Sequence, residues 1–150
     1  MTLPIKALSV RQPWAWAIIH AGKDIENRSW RSSNFRGRVA IHASKGMEKA
    51  EYYESANFIK MLTDSVPQAR DLARGGIIGS VEIVDAVRSS PSPWFFGPFG
   101  LVLANPEPCD FIPVKGQLGF FDWRKNVTDE TPEPAPWMLP KRAETQGSLL

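Results

Sequence analysis

The sequence is poor in the residues that build covalent or metal staples. Its one cysteine, Cys109, excludes an internal disulfide framework and a cysteine-based zinc site. Two histidines, His20 and His42, without a spaced carboxylate cluster, fall short of a metal-ligand pattern, so neither a metal nor another cofactor is expected. No apolar run approaches the ~20 residues that cross a bilayer. The opening MTLPIKALSV has neither a signal-peptide core nor a cleavage site. A cytoplasmic, reducing location with no membrane partner is the expectation. Glycine-rich phosphate loops, nucleophile elbows and dinucleotide fingerprints are missing as well; GIIGS at 76–80 reads as a strand.

What remains is ordinary globular composition. The 150 residues are 43% hydrophobic and 23% charged, enough for one domain with its own core. The net charge of +2 conceals an asymmetry: residues 1–45 carry eight basic and two acidic side chains, the rest ten and fourteen. The positive end of such a dipolar chain attracts phosphates, unless its charges are merely scattered over a wet surface. Six tryptophans are many for this length; those outside the core tend to mark a binding surface.

Lys6–Val10 reads as a short strand. In RQPWAWAIIHAG, Arg11 or Gln12 sits at the cap position, and Pro13 suits the first helical turn. Trp14, Ala17, Ile18 and Ala21 recur at helical spacing, and Gly22 ends the helix. Ile25 to Trp30 then reads as a strand, with Ile25, Asn27 and Ser29 on one face and Glu26, Arg28 and Trp30 on the other. GRVAIHAS, 37–44, is a second strand, Val39 and Ile41 inward and Arg38 and His42 opposite. Met47–Leu62 predicts an amphipathic helix with Ala50, Tyr53, Ala56 or Asn57, and Met61 as its stripe. Residues 63–75 are a polar connector with room for a short helix.

GGIIGSVEIVDAV, apolar on both faces, predicts a central strand. RSSPSPWFFGP is a loop, FGLVLANPEP a strand ended by its prolines, and FIPVKGQLGFFDW an edge strand with a closing segment. The pattern predicts an α+β fold, a small barrel-like sheet of about five to six strands with flanking helices. Residues 1–125 form the expected domain. Residues 126–150 form a proline-rich tail, ordered where Trp137 and Leu139 dock. The sequence does not fix the oligomeric state; a monomer is the default.

The stretch AGKDIENRSWR, 21–31, concentrates the chemistry. Lys23 follows a helix C-terminus, where the macrodipole favours a cation. Glu26 stays ionised between Lys23 and Arg28 and can orient either one. Burial would push the lysine toward a usable base or nucleophile. Trp30 offers a flat surface for a base, worth about 1–3 kcal/mol. The same residues could instead be an exposed Glu–Arg pair beside a core tryptophan, worth about 0–1 kcal/mol. Glu82 interrupts an otherwise interior run; it pairs with Lys23 or an arginine, or serves as a general base or ligand contact. Ser9 and Ser44 are candidate wall groups without a triad partner.

ALSVRQPWA, GKDIENRSW, RGRVAIHAS, GGIIGSVEIVD and VKGQLGFFDW, in that order over roughly residues 5–124, resemble an ASCH domain. The family's G-x-K-x-x-[ET]-x-R region matches Gly22, Lys23, Glu26 and Arg28, with the glycine and lysine adjacent here. The resemblance implies a PUA-like β-barrel with a cleft beside the lysine strand, and an RNA- or nucleotide-related function. A small bacterial branch resembles an amidohydrolase of N4-acetylcytidine that uses a lysine, a threonine and a glutamate. Lys23 matches the lysine, Glu26 stands in the threonine's place, and Glu82 is a candidate for the glutamate. Some members cleave RNA.

Three readings follow. In the first, a nucleic-acid or modified-nucleotide binding domain takes RNA, or alternatively DNA. Lys23, Arg28, Arg31, Arg36 and Arg38 engage phosphate, Trp30 and Trp14 hold a base, and Glu26 meets a base edge or ribose. Ser9, Arg11, Gln12, His42, Ser44 and Lys45 are further candidate binding residues. In the second, a small hydrolase acts on RNA or on an N4-acylcytidine through Lys23, Glu26 and Glu82. In the third, a tryptophan-rich cleft binds a peptide.

Overall fold

The computed structural model describes residues 2–29 and 34–140. Six strands form one sheet: β1 (Lys6–Val10), β2 (Ile25–Arg28), β3 (Gly37–Ala43), β4 (Gly76–Val87), β5 (Phe99–Pro113) and β6 (Phe120–Asp122). Their spatial order is β2-β5-β4-β3-β1-β6. Only β1 and β3 run parallel; every other neighbouring pair is antiparallel. Two helices, α1 (Trp14–His20) and α2 (Lys49–Lys60), complete an α+β half-barrel.

Both faces of the sheet are buried in its middle. On one face Leu8, Val10, Val39, Ile41, Val81 and Ile83 pack against Ala15, Ile18 and Ile19 of α1. Full burial of a side chain such as Ile18 stabilises by roughly 1.5–3 kcal/mol. On the other face Ala7, Ala40, Ile77, Val114, Phe121 and Trp123 form a smaller core. The far side of α1 meets Ile59 of α2 and Trp94 through Ala17.

Local chemistry sets the helix ends. Gln12 Oε1 accepts from the Trp16 amide at 2.9 Å, capping α1, while its Nε2 donates to the Ala73 carbonyl at 2.7 Å. Gly22 takes φ +75°, the left-handed geometry that turns the chain out of the helix. At α2, Glu48 and Glu51 form a reciprocal capping box, and Arg11 clamps the Glu51 carboxylate.

The structure corrects several expectations. The stripe of α2 is Tyr52, Ser55, Ala56 and Ile59; Ala50, Tyr53 and Met61 are exposed. The helix is shorter than Met47–Leu62 and turned by about one residue. β5 runs through Pro106 and Pro108 to Pro113 instead of ending at them, because β2 pairs with it only over Phe99–Val102. From there to Ile112 no named strand among the described residues pairs on that edge, so β5 is an edge strand over its prolines, and edge strands tolerate proline. β2 stops at Arg28, so Ser29 lies outside it, and Trp30 and Arg31 lie outside the described residues. His42, expected opposite the core, is buried by the second cluster. In the tail, Met138 is buried against Met47, Tyr52 and Ala56, and Trp137 meets Tyr52 and Tyr53 at 6.1 and 6.3 Å between ring centroids. Leu139, expected to dock, is exposed.

Candidate functional site

The turn after α1 carries Lys23 back beneath the helix. Its amide donates to the Ala17 carbonyl at 3.1 Å. The side chain is only 3% exposed: Nζ donates to the Ile25 carbonyl, lies 3.5 Å from Glu26 Oε1, and sits 5.5 Å from the centroid of the Trp14 ring. Burial pushes this ammonium below the usual lysine range, against the pull of the Glu26 carboxylate.

Glu26 and Arg28 share a face of β2, two residues apart. Glu26 Oε2 lies 3.7 Å from Arg28 Nη2, so one carboxylate gathers both cations. Arg28 Nη2 also donates to the Ser9 carbonyl at 3.3 Å. Its Nε is buried and, among the described residues, without a hydrogen-bond partner. The row can therefore offer guanidinium donors and a net positive charge to an anion or to a polar ring edge.

Beside the row stands an aromatic wall that sequence reasoning missed in part. Trp14 makes near-perpendicular contacts with Trp94 and Phe96, at 6.5 and 6.0 Å between centroids, and a tilted contact with Phe58 at 6.1 Å. Phe96 is 55% exposed. Asn27 pins its loop: Oδ1 accepts from the Phe96 and Gly97 amides at 2.7 and 3.1 Å, and Nδ2 donates to the Trp94 carbonyl at 2.9 Å. Asp24 holds the same loop by accepting from Ser92 Oγ at 2.5 Å. The signal was the loop WFFGP opposite an asparagine flanked by charges, visible only once β2 and β5 are paired.

Other candidates separate from the row. Ser9, His42, Ser44 and Lys45 line a cavity of about 610 Å³, closed by Lys115–Leu118 and by tail residues. Arg11 and Gln12 are struts, holding α2 and the Ala73 backbone as described above. Arg38 donates to Ser80 Oγ at 3.0 Å and to the Asn105 carbonyl at 2.7 Å, and meets Glu107 at 3.3 Å. Arg36 is exposed and lies 3.8 Å from Asp85. Glu82 is not the partner of Lys23: it lies opposite Arg38 in the ladder and accepts from the Asn105 amide at 3.0 Å. The physical reason is placement. Glu82 projects from the middle of β4, whereas the carboxylate that reaches Lys23 stands three residues along the chain.

Among the described residues no group of three His, Cys, Asp or Glu is placed to hold a metal ion, and no helix is long and apolar enough to cross a membrane.

A small half-barrel with one helix tucked against the sheet, and a lysine–glutamate–arginine row where that helix gives way to a strand, defines the class of domain. The chain belongs to the ASCH domain family, whose profile matches residues 8–94, more than half of it. It is also similar to activating signal cointegrator 1 of Homo sapiens, 29% identical over 120 residues that cover 73% of this chain and 20% of that protein. The chain thus corresponds to about a fifth of that relative's length.

Proposed function

We propose that the protein binds RNA or a modified nucleotide at the Lys23–Glu26–Arg28 row. The observation that carries this is the single carboxylate that holds an ammonium and a guanidinium together beside Trp14, leaving Arg28 Nε unsatisfied. A buried donor without a partner costs stability, and the partly exposed Arg28 guanidinium keeps donors free to meet an anion. The ASCH family's association with RNA binding supports the reading. Fluorescence anisotropy with single-stranded RNA tests it. Affinity should fall steeply with salt, and Arg28→Ala should weaken binding and reduce the slope of log affinity against log salt by about 0.7. Binding that ignores salt, or no binding, overturns the proposal; a preference for duplex DNA would change the ligand and keep the site.

The burial of Lys23 favours a second reading, a hydrolase acting on an N4-acylcytidine. A lysine pushed below its usual range is a candidate base, and Glu26 is within reach to exchange a proton with it. Water would add to the acyl carbon, the C–N4 bond would break, and the proton would pass to the departing amine. Incubation with N4-acetylcytidine should release cytidine and acetate, and Lys23→Ala should abolish the release. Turnover that survives in that variant removes the mechanism.

A further inference from the structure

The proline-rich end of the described chain is a docked rod. In TPEPAP, 131–136, prolines alternate with other residues, so every non-proline precedes a proline. Each ring fixes its own φ at about −65° and presses the residue before it into extended geometry. The run is thereby confined to a polyproline II helix of about three residues per turn. Ala135, at φ −68° and ψ 154°, has that geometry. The period puts Pro132, Ala135 and Met138 on one side, the last through the short 3-10 turn Pro136–Met138, which shares it. Burial follows: Pro132 and Ala135 are half-buried and Met138 is buried, whereas Glu133, Pro134 and Pro136 are exposed.

The body supplies a groove for that side. Trp16, Met47, Tyr52, Ala69 and Leu72 cluster with Ala135 and Met138. Tyr52 and Tyr53, 5.1 Å apart between centroids, form an aromatic rim that Trp137 covers in part, leaving Tyr53 49% exposed. Pro132 sits over Gly75, where a Cβ would stand 3.1 Å from the proline ring. Arg74 Nη2 donates to the Glu133 carbonyl at 3.0 Å, and Nη1 donates to the Lys45 carbonyl. An aromatic rim and contacts at every third residue are how proline-rich segments dock into peptide-binding grooves.

The attachment is light. Upstream the chain is fixed at Val127, bridged to Val114, and at Thr128, whose amide donates to the Pro113 carbonyl at 3.1 Å. From there to Met138 the Arg74 bond is, among the described residues, the one hydrogen bond from the body. A preformed rod loses little freedom when it docks, so side-chain contacts suffice to hold it.

We infer that the groove is a polyproline recognition site, filled in cis by residues 132–138, which takes in trans a proline-rich segment of a partner protein carrying a proline, a small residue and a long apolar residue at three-residue spacing. The chain's own rod is both the template for that partner and its competitor. Tethered beside the groove, it competes at an effective concentration in the millimolar range.

Fluorescence anisotropy with a labelled peptide of residues 130–140 and the full chain tests this. The natural chain should bind it weakly, because its groove is filled. Met138→Gln in the chain should dislodge the rod and raise peptide affinity ~10-fold or more. Ala135→Glu, which leaves the buried methionine in place, should act in the same direction. Arg74→Ala added to either should weaken the peptide severalfold. A peptide with Pro134→Gly and Pro136→Gly keeps the docking residues but not the preformed rod, and should bind more weakly. Millimolar peptide added to the isotope-labelled natural chain should move the Glu133 and Ala135 amide NMR signals toward those of a free peptide. Equal affinity for the natural and variant chains, no binding by a variant that still melts cooperatively, a peptide indifferent to the loss of its prolines, or unmoved strap signals overturns the inference. The groove and the lysine–arginine row share no residue, so either reading can fail alone.

Discussion

Arg28 donates a hydrogen bond to the backbone carbonyl of Ser9 at 3.3 Å, joining two strands that the sheet order places four positions apart. β2 is one edge of the sheet and β1 is next to the other, so this contact exists only because the sheet curls. A side chain of the row thus closes the half-barrel. Removing it should cost about 1.5–3 kcal/mol, the range for a hydrogen bond to a charged group. Urea denaturation of Arg28→Ala reads this directly. Arg28→Lys should recover little, since one ammonium on a flexible stem cannot reproduce the planar fork.

Glu26 should matter more to stability than either cation it holds. Its removal leaves the ammonium of Lys23 buried without its counter-charge, and breaking such a pair costs about 3–5 kcal/mol. Glu26→Gln should therefore be strongly destabilising, and the double variant Lys23→Met with Glu26→Gln less so. A double-mutant cycle by chemical denaturation measures the coupling; simple additivity would refute it.

Gly76 should tolerate no side chain. A Cβ there would run into the Ile112 carbonyl oxygen and stand 2.5 Å from the Phe111 ring, where Gly76 of β4 pairs with Pro113 of β5. Because the nearer atom is backbone, relief requires the strands to part. Gly76→Ala should lower stability by about 1–3 kcal/mol or more, seen as a lower melting temperature.

Acid should loosen the cavity floor through His42. Burial lowers its folded-state value below the unfolded one near 6.5. The unfolded chain then takes up the proton first, so stability is intact above that pH and declines as the pH falls through the folded value. Thermal melts from pH 8 down to 5 should show the decline. His42→Gln should be less stable at pH 8 and should flatten the pH dependence in that window.

Much of the row was legible because alternation along a strand is a strict rule: Glu26 and Arg28 had to share a face, and Gly22 had to release the chain after the helix. The buried state of Lys23 was open, since no local pattern says what lies above a turn. The central position of β4 followed from its two-faced apolarity, up to Ile83; Val84 and Asp85 are exposed where the strand outruns its cover. Three differences have one origin, tertiary context. The α2 stripe is one residue out of phase because Tyr52 and Tyr53 are alike in composition and only packing against Met138 and Ala69 chooses between them. The prolines of β5 read as breakers in the sequence because pairing on each edge cannot be read from one strand. From sequence Glu82 is open to Lys23, to an arginine or to a ligand, because one strand does not show its neighbours; pairing β4 with β3 and β5 sets it opposite Arg38 and within reach of the Asn105 side-chain amide.

The long strand β5 has a further consequence for how copies of this chain meet. Between Ala104 and Ile112 β4 is, among the described residues, the one strand that pairs with it; at Pro113 the carbonyl accepts from the Thr128 amide on the other side. An open flank of main-chain donors and acceptors invites another polypeptide to add a strand. Here Asn105 bends the backbone with φ +54°, and Pro106 and Pro108 stiffen the segment beside it. This interruption leaves a rough, bent border, a built-in obstacle to edgewise stacking in a crowded solution.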